Sequence, residues 1–247
     1  MSKIIHYCWF GGKELPESAK ICIESWKTFF PEYEIKEWNE TNYNVRKNTY
    51  ISEAYDAKKY AFVSDFARFD ILFNYGGIYF DTDVEVIKSY DDILCNGSYM
   101  GCEVDGSKDG NANRIYVNPG LGMAVEKGNP LLQKIMKIYE KMSFINMDGS
   151  MNMKTVVEHT TELLLSNGLT NEYGIQNVGG ITIYPAEFFN PKDSRTGKLF
   201  ITDNTHSIHW YSMTWMSPKQ KLRNQLLSPF HRVFGPECFR WLKKFLR

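Results

Sequence analysis

The sequence predicts an α/β domain, and three observations support this prediction. The chain has 247 residues, of which 43% are apolar and 15% aromatic, enough for the core of one large domain or two small ones. Its opening pattern of strand, helix and strand predicts parallel strands joined by a right-handed crossover. A third predicted strand ends in two acidic residues, and sheets of this kind bind ligands at the carboxyl ends of their strands.

The first three elements follow from apolar spacing and turn residues. Residues 4–10 form an apolar and aromatic run of strand length, closed by a double glycine. Residues 16–30 have helical spacing, and Pro31 ends that helix. Residues 33–38 predict the second strand. The apolar positions of the helix are Ala19, Ile23, Trp26 and Phe30.

The next helix is predicted over residues 62–73 by phenylalanines spaced four, three and four residues apart, and a second double glycine ends it. These phenylalanines are Phe62, Phe66, Phe69 and Phe73. An adjacent side of the helix carries Ser64, Asp65 and Arg68. Because Asp65 and Arg68 are three residues apart, they are neighbours in space, either as a surface ion pair or as part of a functional site.

The strand that follows ends in Asp81-Thr82-Asp83. In an extended strand, residues two apart share a face, so the two carboxylates are expected to converge on one hard cation while Thr82 points away. The Asp-x-Asp pattern alone is common at solvated turns. The sequence around it decides whether it marks a metal site.

The later segments continue the alternation of strands and helices. The predicted elements are strands at 98–104 and 115–125 around a polar loop at 105–113, helices at 129–142 and 151–165, and strands at 180–184 and 205–211.

The last thirty residues differ in charge from the rest of the chain. Residues 217–247 hold eight Lys and Arg against one acid, a net charge of +7, so the other 216 residues carry −7 in a chain that is neutral overall. Residues 238–247 have the spacing of a basic amphipathic helix. Such a tail can dock on the domain, or it can bind an anionic membrane surface. We therefore expect a domain at 1–216 and a basic amphipathic helical tail at 217–247.

Several classes of protein are disfavoured by what the sequence lacks. Its five cysteines form no C-x-x-C pair, so neither a disulfide framework nor a zinc site is indicated, and a reducing cytoplasm is the expected compartment. No apolar run is long enough to span a membrane, and no phosphate-binding loop of the G-x-x-x-x-G-K-S/T type occurs. A divalent cation on two carboxylates at a sheet edge is typically used to hold a pyrophosphate, and a negatively charged domain without such a loop needs that cation more than a basic domain would.

Three blocks of sequence together resemble the D-x-D sugar-binding region of glycosyltransferase family 32, which includes capsular polysaccharide transferases. These blocks are residues 7–12 (YCWFGG), 60–68 (YAFVSDFAR) and 76–83 (GGIYFDTD). The resemblance covers about residues 1–95 and implies a GT-A type fold, a nucleotide-sugar-binding mixed sheet flanked by helices.

The resemblance also implies roles for individual residues. The residues expected to bind the donor are Trp9, Ser64, Asp65, Arg68, Tyr79, Asp81 and Trp215. Trp9 matches the aromatic residue that stacks on the nucleobase, and Asp65 and Arg68 match residues that bind ribose and sugar hydroxyls. Asp83 is expected to be the direct metal ligand, while Asp81 contacts the sugar or ribose and reaches the metal through water. Arg68, Asp81 and Asp83 are the residues expected to act in catalysis.

A late segment, residues 206–215 (HSIHWYSMTW), resembles the closing motif of the family, with Thr214 in place of its serine. Aligning Trp215 selects His209 rather than His206 as a metal or phosphate ligand, and on a strand these two histidines face opposite ways. The segment around Trp215 is expected to cover the donor and exclude water. Oxygen and imidazole ligands together favour Mn²⁺ over Mg²⁺.

The resulting expectation is a retaining, metal-dependent hexosyltransferase that uses a nucleotide sugar and a glycan acceptor. UDP-galactose or UDP-N-acetylglucosamine is the preferred donor, and GDP-mannose is the alternative. The tail suggests a lipid-linked acceptor in cell-surface polysaccharide synthesis at the inner face of the cell membrane. A glycoside hydrolase or a non-catalytic carbohydrate- or membrane-binding module are alternatives of another class, and neither explains the metal and donor residues together.

Overall fold

In the computed structural model, which describes residues 1–107, 114–194 and 196–212, eight strands form a central mixed sheet. Its order is β2-β1-β3-β7-β5-β9-β8, with β6 paired to β5. A second sheet in these residues pairs β10 with β4. The strands are β1 (Ile4–Cys8), β2 (Glu34–Trp38), β3 (Gly77–Tyr79), β4 (Val84–Val86), β5 (Ser98–Val104), β6 (Tyr116–Asn118), β7 (Met123–Val125), β8 (Gln176–Val178), β9 (Ile181–Tyr184) and β10 (Ser207–His209).

Helices lie on both faces of the central sheet. They are α1 (Glu17–Phe29), α2 (Thr49–Asp56), α3 (Tyr60–Tyr75), α4 (Asp91–Leu94), α5 (Pro130–Glu140), α6 (Val156–Leu165) and α7 (Ala186–Phe189), and a short 3-10 helix spans Pro119–Leu121. The predicted α/β architecture, a mixed sheet flanked by helices, is confirmed.

The opening β-α-β unit is parallel, as predicted. β1 pairs in parallel with β2 on one side and with β3 on the other. β7 runs antiparallel to both β3 and β5, so β3 and β5 point the same way. The carboxyl ends of β1, β3 and β5 therefore meet at one edge of the sheet.

Two apolar clusters cover the faces of the sheet. One contains side chains of α2, α3, α5 and α6, and the other contains side chains of α1, α4, α7 and β4. In the second cluster, the fully buried Trp26 of α1 donates its indole N–H to the carbonyl of Val84 at 2.7 Å. This bond fixes the start of β4 against the main body.

Helix α3 is buried on more than the face that carries its phenylalanines. The acidic and basic residues Asp65, Arg68 and Asp70 are buried along with its apolar side chains. Asp65 and Arg68 do form an ion pair, but it lies in the interior, which rules out the surface alternative. Gly77 follows the helix with φ +101°, and a Cβ there would lie 2.5 Å from the carbonyl oxygen of Ile4, so the turn into β3 requires glycine.

Several predicted elements are shorter than expected, including the late strand at 205–211, which is reduced to Ser207–His209. Two of them have a clear local reason. The strand predicted at 115–125 is divided into β6, the 3-10 helix and β7, because Pro119 and two glycines interrupt it. The helix predicted at 151–165 begins only at Val156, because Thr155 and Glu158 form a capping box. α2 and the short elements β4, α4, β8 and α7 were not predicted.

Part of the sequence prediction falls outside the described residues. Residues 108–113 of the polar loop, Trp215, the boundary at 216 and the tail at 217–247 all lie there. Among the helices that the structure does describe, none has the length and apolar character needed to cross a membrane.

Candidate active site

The two aspartates of the D-x-D motif lie in a turn, not in a strand as predicted. β3 ends at Tyr79, and the N–H of Val84 donates to the carbonyl of Asp81 at 3.1 Å, which closes a tight turn. The chain makes this turn because it passes from the central sheet into β4 of the small sheet. The carboxylates therefore come together through the turn and not through strand alternation.

Strand β10 brings His209 to this turn. His209 pairs with Val84 across the small sheet, and the N–H of Trp210 donates to the carbonyl of Asp83 at 2.9 Å. As a result, His209 Nε2 lies 3.1 Å from Asp83 Oδ1. The other oxygen, Asp83 Oδ2, accepts hydrogen bonds from the backbone N–H of Ser212 at 2.8 Å and from its hydroxyl at 3.0 Å.

These contacts determine the charge of the pair. Burial acts to raise the pKa of Asp83, but His209 and the two Ser212 donors outweigh it and hold that pKa well below the usual range. Burial lowers the pKa of His209, but the Asp83 carboxylate more than compensates and raises it above the usual value. Asp83 is thus ionised and ready to serve as a ligand.

The residues present fit a divalent cation. Asp81, Asp83 and His209 each offer a ligand atom, and these atoms lie within 4.8 Å of one another. Ligands bound about 2.1 Å from one octahedral cation stand about 3 Å apart, close to the separation of Asp83 Oδ1 and His209 Nε2. His206, in contrast, points its Nδ1 at the carbonyl of Ser89 at 2.7 Å and stays outside this cluster.

Arg68 links the helix to the motif. Its guanidinium lies 3.0 Å from Asp65 Oδ1 and 3.3 Å from Asp81 Oδ1, and its Nε donates to the carbonyl of Ser64 at 3.1 Å. The same guanidinium lies 4.9 Å from the centre of the Tyr79 ring, whose hydroxyl donates to Asp81 Oδ1 at 3.0 Å. The guanidinium of Arg68 and the hydroxyl of Tyr79 therefore hold the Asp81 carboxylate. Ser64 helps to position Arg68 through its backbone carbonyl.

Asp65 is buried behind this arrangement. Burial raises its pKa to about 7, although Arg68 acts in the opposite direction. The backbone N–H of Val156, at the first position of α6, also acts on the carboxylate and lowers its pKa. The start of α6 thus belongs to the wall of the site.

The structure adds a glycine that sequence reasoning missed. Asp81 N–H donates to the carbonyl of Gly120 at 3.2 Å, and a Cβ on Gly120 would lie 2.1 Å from Asp81 Oδ2 and 3.0 Å from Arg68 Nη1. Asn118 holds this glycine by accepting its N–H at 2.7 Å. The available signal was the cluster Asn-Pro-Gly-Leu-Gly at 118–122, which sequence reasoning included in a strand.

Trp9 lies at the same edge of the sheet. It follows β1 directly, and β1 runs parallel to β3 with His6 opposite Tyr79. Its indole N–H donates to the carbonyl of Lys13 at 2.6 Å, which orients the partly buried ring. The structure thus places Trp9 and Asp81 at the ends of neighbouring strands, and Trp215 lies outside the described residues.

Comparison with known proteins agrees with these features. Residues 16–99 match the family described as "Glycosyltransferase sugar-binding region containing DXD motif". The chain is also 29% identical over 154 residues to inositol phosphoceramide mannosyltransferase 3 of Schizosaccharomyces pombe, a match that covers 58% of this chain and 38% of that protein.

Two solved structures are similar at lower levels. The PaToxG glycosyltransferase aligns with a TM-score of 0.49 and 19% identity, over 67% of this chain and 69% of its own. The galactosyltransferase LgtC, in complex with donor and acceptor sugar analogues, aligns with a TM-score of 0.45 and 12% identity, over 91% of this chain and 95% of its own. Both scores are below 0.5, so the assignment depends on the family match and the motif. Residues 16–99, which match the glycosyltransferase sugar-binding region with a DXD motif, thus lie in a mixed α/β fold.

Proposed function

We propose that the protein is a metal-dependent, retaining glycosyltransferase that moves a hexose from a nucleotide sugar to a glycan acceptor. The supporting observation is the convergence of Asp81, Asp83 and His209 beside the buried Arg68. Of these four residues, all but His209 lie inside the region that matches the DXD family. Retention is proposed from the resemblance to family 32.

Each residue has a distinct part in this proposal. Asp83 and His209 would hold a Mn²⁺ or Mg²⁺ ion, with Asp81 as a direct or water-mediated ligand. When bound, the cation supplies positive charge that neutralises the diphosphate and stabilises it as a leaving group. Arg68 keeps a second positive charge in the site and fixes Asp81 for contact with the sugar or ribose.

The donor would lie along the carboxyl edge of the sheet. Trp9 would stack on the nucleobase, while Ser64, Asp65, Arg68 and Tyr79 would surround the ribose and sugar. The oxygen of the departing diphosphate can take the proton of the acceptor hydroxyl, so a front-face reaction needs no enzymic nucleophile. Trp215 would then cover the donor and exclude water.

UDP-galactose or UDP-N-acetylglucosamine is proposed as the donor. GDP-mannose is a second candidate because the Schizosaccharomyces pombe relative is named a mannosyltransferase. A glycoside hydrolase fits less well, because its two carboxyl groups must flank the sugar, whereas Asp81 and Asp83 form one cluster with a histidine.

Thermal unfolding with Mn²⁺ and a panel of UDP- and GDP-sugars tests the proposal. One nucleotide sugar should stabilise the protein only when Mn²⁺ is present, by about 2.7 kcal/mol at a hundred times its Kd. Asp83→Asn should abolish this gain, while Asp203→Asn, a change at an exposed acid, should leave it unchanged. If no sugar nucleotide stabilises the wild-type protein, the proposed function is wrong.

A further inference from the structure

A further acidic residue, Glu103, lies beside the candidate active site on another strand. It is the penultimate residue of β5 and lies at the same carboxyl edge as Trp9 and Asp81. Asn190 connects it to the segment that carries His209, because Asn190 Nδ2 donates to the carbonyl of Glu103 at 3.1 Å and Asn190 Oδ1 accepts the hydroxyl of Tyr211 at 2.9 Å. The family match ends at residue 99 and therefore does not include it.

A short chain of hydrogen bonds connects Glu103 to the motif. Asn118 Nδ2 donates to Glu103 Oε2 at 2.8 Å, and Asn118 Oδ1 accepts the N–H of Gly120 at 2.7 Å. Gly120 in turn accepts the N–H of Asp81 at 3.2 Å. The carboxylate of Glu103 is thus held in place relative to Asp81.

The other oxygen of this carboxylate is available. Within the part of the chain that the structure describes, Glu103 Oε1 forms no hydrogen bond, and Glu103 has no ion-pair partner. Because Glu103 is only partly buried and this oxygen is open to solvent, a ligand that enters the site can donate a hydrogen bond to it. The site therefore offers a hydrogen-bond acceptor that the residues described so far leave unused.

The order of strands indicates which part of the donor would meet this acceptor. Along the edge, β1 carries Trp9, β3 leads to Asp81, and β5, beyond β7, carries Glu103. Adjacent strands lie about 4.8 Å apart, so β3 and β5 are about 10 Å apart, a gap that a hexose can fill together with the side chains that extend from both strand ends. A nucleobase at Trp9 and a diphosphate at the metal leave the hexose on the side of β5. A carboxylate there also repels phosphate and accepts from hydroxyls.

We propose that Glu103 binds the hexose of the donor, with Oε1 accepting a hydrogen bond from one sugar hydroxyl. This inference depends on the proposed function, because it assumes a nucleotide hexose in the site. Glu103 would then help to determine which hexose is transferred.

The test compares two ligands that differ only in the sugar. Calorimetry with Mn²⁺ would measure the affinity for the nucleoside diphosphate and for the corresponding nucleotide hexose. Because Asn118 needs an acceptor, E103Q should turn its amide oxygen to Asn118 and place an NH₂ donor where the free acceptor was. We expect E103Q to lower the affinity for the nucleotide hexose about 10- to 100-fold and the affinity for the nucleoside diphosphate less than about twofold. E140Q, at an exposed position of α5, should alter neither affinity.

Deoxyhexose donors provide a measurement on the wild-type protein that does not depend on the folding of a variant. The analogue that lacks the recognised hydroxyl should bind the wild type about 10- to 100-fold more weakly, and E103Q should not weaken it further. The inference would be overturned if E103Q lost the same affinity for the nucleoside diphosphate and for the nucleotide hexose. It would also be overturned if no deoxyhexose donor bound the wild type more weakly while binding E103Q with unchanged relative affinity. Failure of the wild type to bind any nucleotide sugar would instead reject the proposed function.

Discussion

Arg68 shows how one residue can organise a site. Its guanidinium contacts two carboxylates, Asp65 and Asp81, while its face lies over Tyr79. Lysine could not replace it, because a single ammonium has neither the planar fork nor the stacking surface. Arg68 and Asp65 are buried and Asp81 is partly buried, so loss of Arg68 would leave two carboxyl groups close to each other without a cation.

Gly120 provides a prediction at the scale of a single residue. In Gly120→Ala the added Cβ would lie 2.1 Å from Asp81 Oδ2, so the carboxylate must move. Because a displacement of about 1 Å in a catalytic group costs about a hundredfold, we expect glycosyl transfer to fall at least that much. The comparison is Gly180→Ala, where the Cβ meets no atom within 4 Å and the cost is backbone strain at φ +82°, so that variant should lose stability but keep its transfer rate. Transfer rates and thermal unfolding of both variants check this, and normal activity in Gly120→Ala would contradict it.

The residues of the site could be predicted in part from the sequence. Asp81, Asp83 and Arg68 lie within twenty residues of one another, and their side-chain types indicate their chemistry. Gly120 and Glu103 reach the site only through the pairing of β5 with β6 and β7, which no local pattern reveals. Gly120 and Glu103 belong to the site because of tertiary contacts, which the sequence does not show. Gly120 is also harder to recognise because it acts through the absence of a side chain.

At the scale of elements, His6 connects three segments. It lies in β1, accepts the indole N–H of Trp38 in β2 at 3.1 Å through Nδ1, and its Nε2 lies 3.0 Å from the carbonyl of Gly76 after α3. Both contacts are satisfied by the neutral ring that carries its proton on Nε2. Burial, together with the nearby charge of Lys36, lowers the pKa of His6 to about 4.

This connection predicts a loss of stability in acid. The unfolded chain takes up a proton on His6 near pH 6.5, whereas the native protein does so only near pH 4. The native state therefore binds fewer protons in that window, and its free energy of unfolding should fall by up to about 3 kcal/mol as the pH drops from 6.5 to 4. Urea unfolding at several pH values should show this fall in the free energy of unfolding in the wild type and not in His6→Gln. Identical pH dependence in the two proteins would contradict it.

The elements that could be predicted are those that are long and have a clear local sequence pattern. Helix α3 could be recognised because its phenylalanine stripe continues for three turns. β6 and β7 were predicted as one strand because each is only three residues long, so periodicity cannot separate them. Capping explains why α6 begins later than predicted, since Thr155 is its N-cap and the apolar pattern alone suggests an earlier start.

At the scale of the whole molecule, the fold assembles the site from segments that are distant in the chain. The carboxyl ends of β1, β3 and β5 supply Trp9, Asp81 and Glu103, and β10 adds His209 from the small sheet. The β-α-β opening allowed the α/β class to be predicted, whereas the return of residues 207–209 to residues 84–86 could not be derived from spacing. The late histidine was found only through the resemblance of its motif.

The uneven charge of the chain leads to a prediction for the whole protein. Residues 217–247 carry a net +7 and an amphipathic pattern of Trp, Phe and Leu, whereas residues 1–216 carry −7. Each basic residue near an anionic surface contributes about 1 kcal/mol, so the full chain should sediment with phosphatidylserine vesicles at low salt and be released at high salt. Deletion of 217–247 should abolish sedimentation and leave donor-induced thermal stabilisation intact. Replacing Lys243, Lys244 and Arg247 with Gln should weaken sedimentation without removing apolar residues. Equal vesicle binding by the full and shortened chains would exclude the tail as the membrane contact.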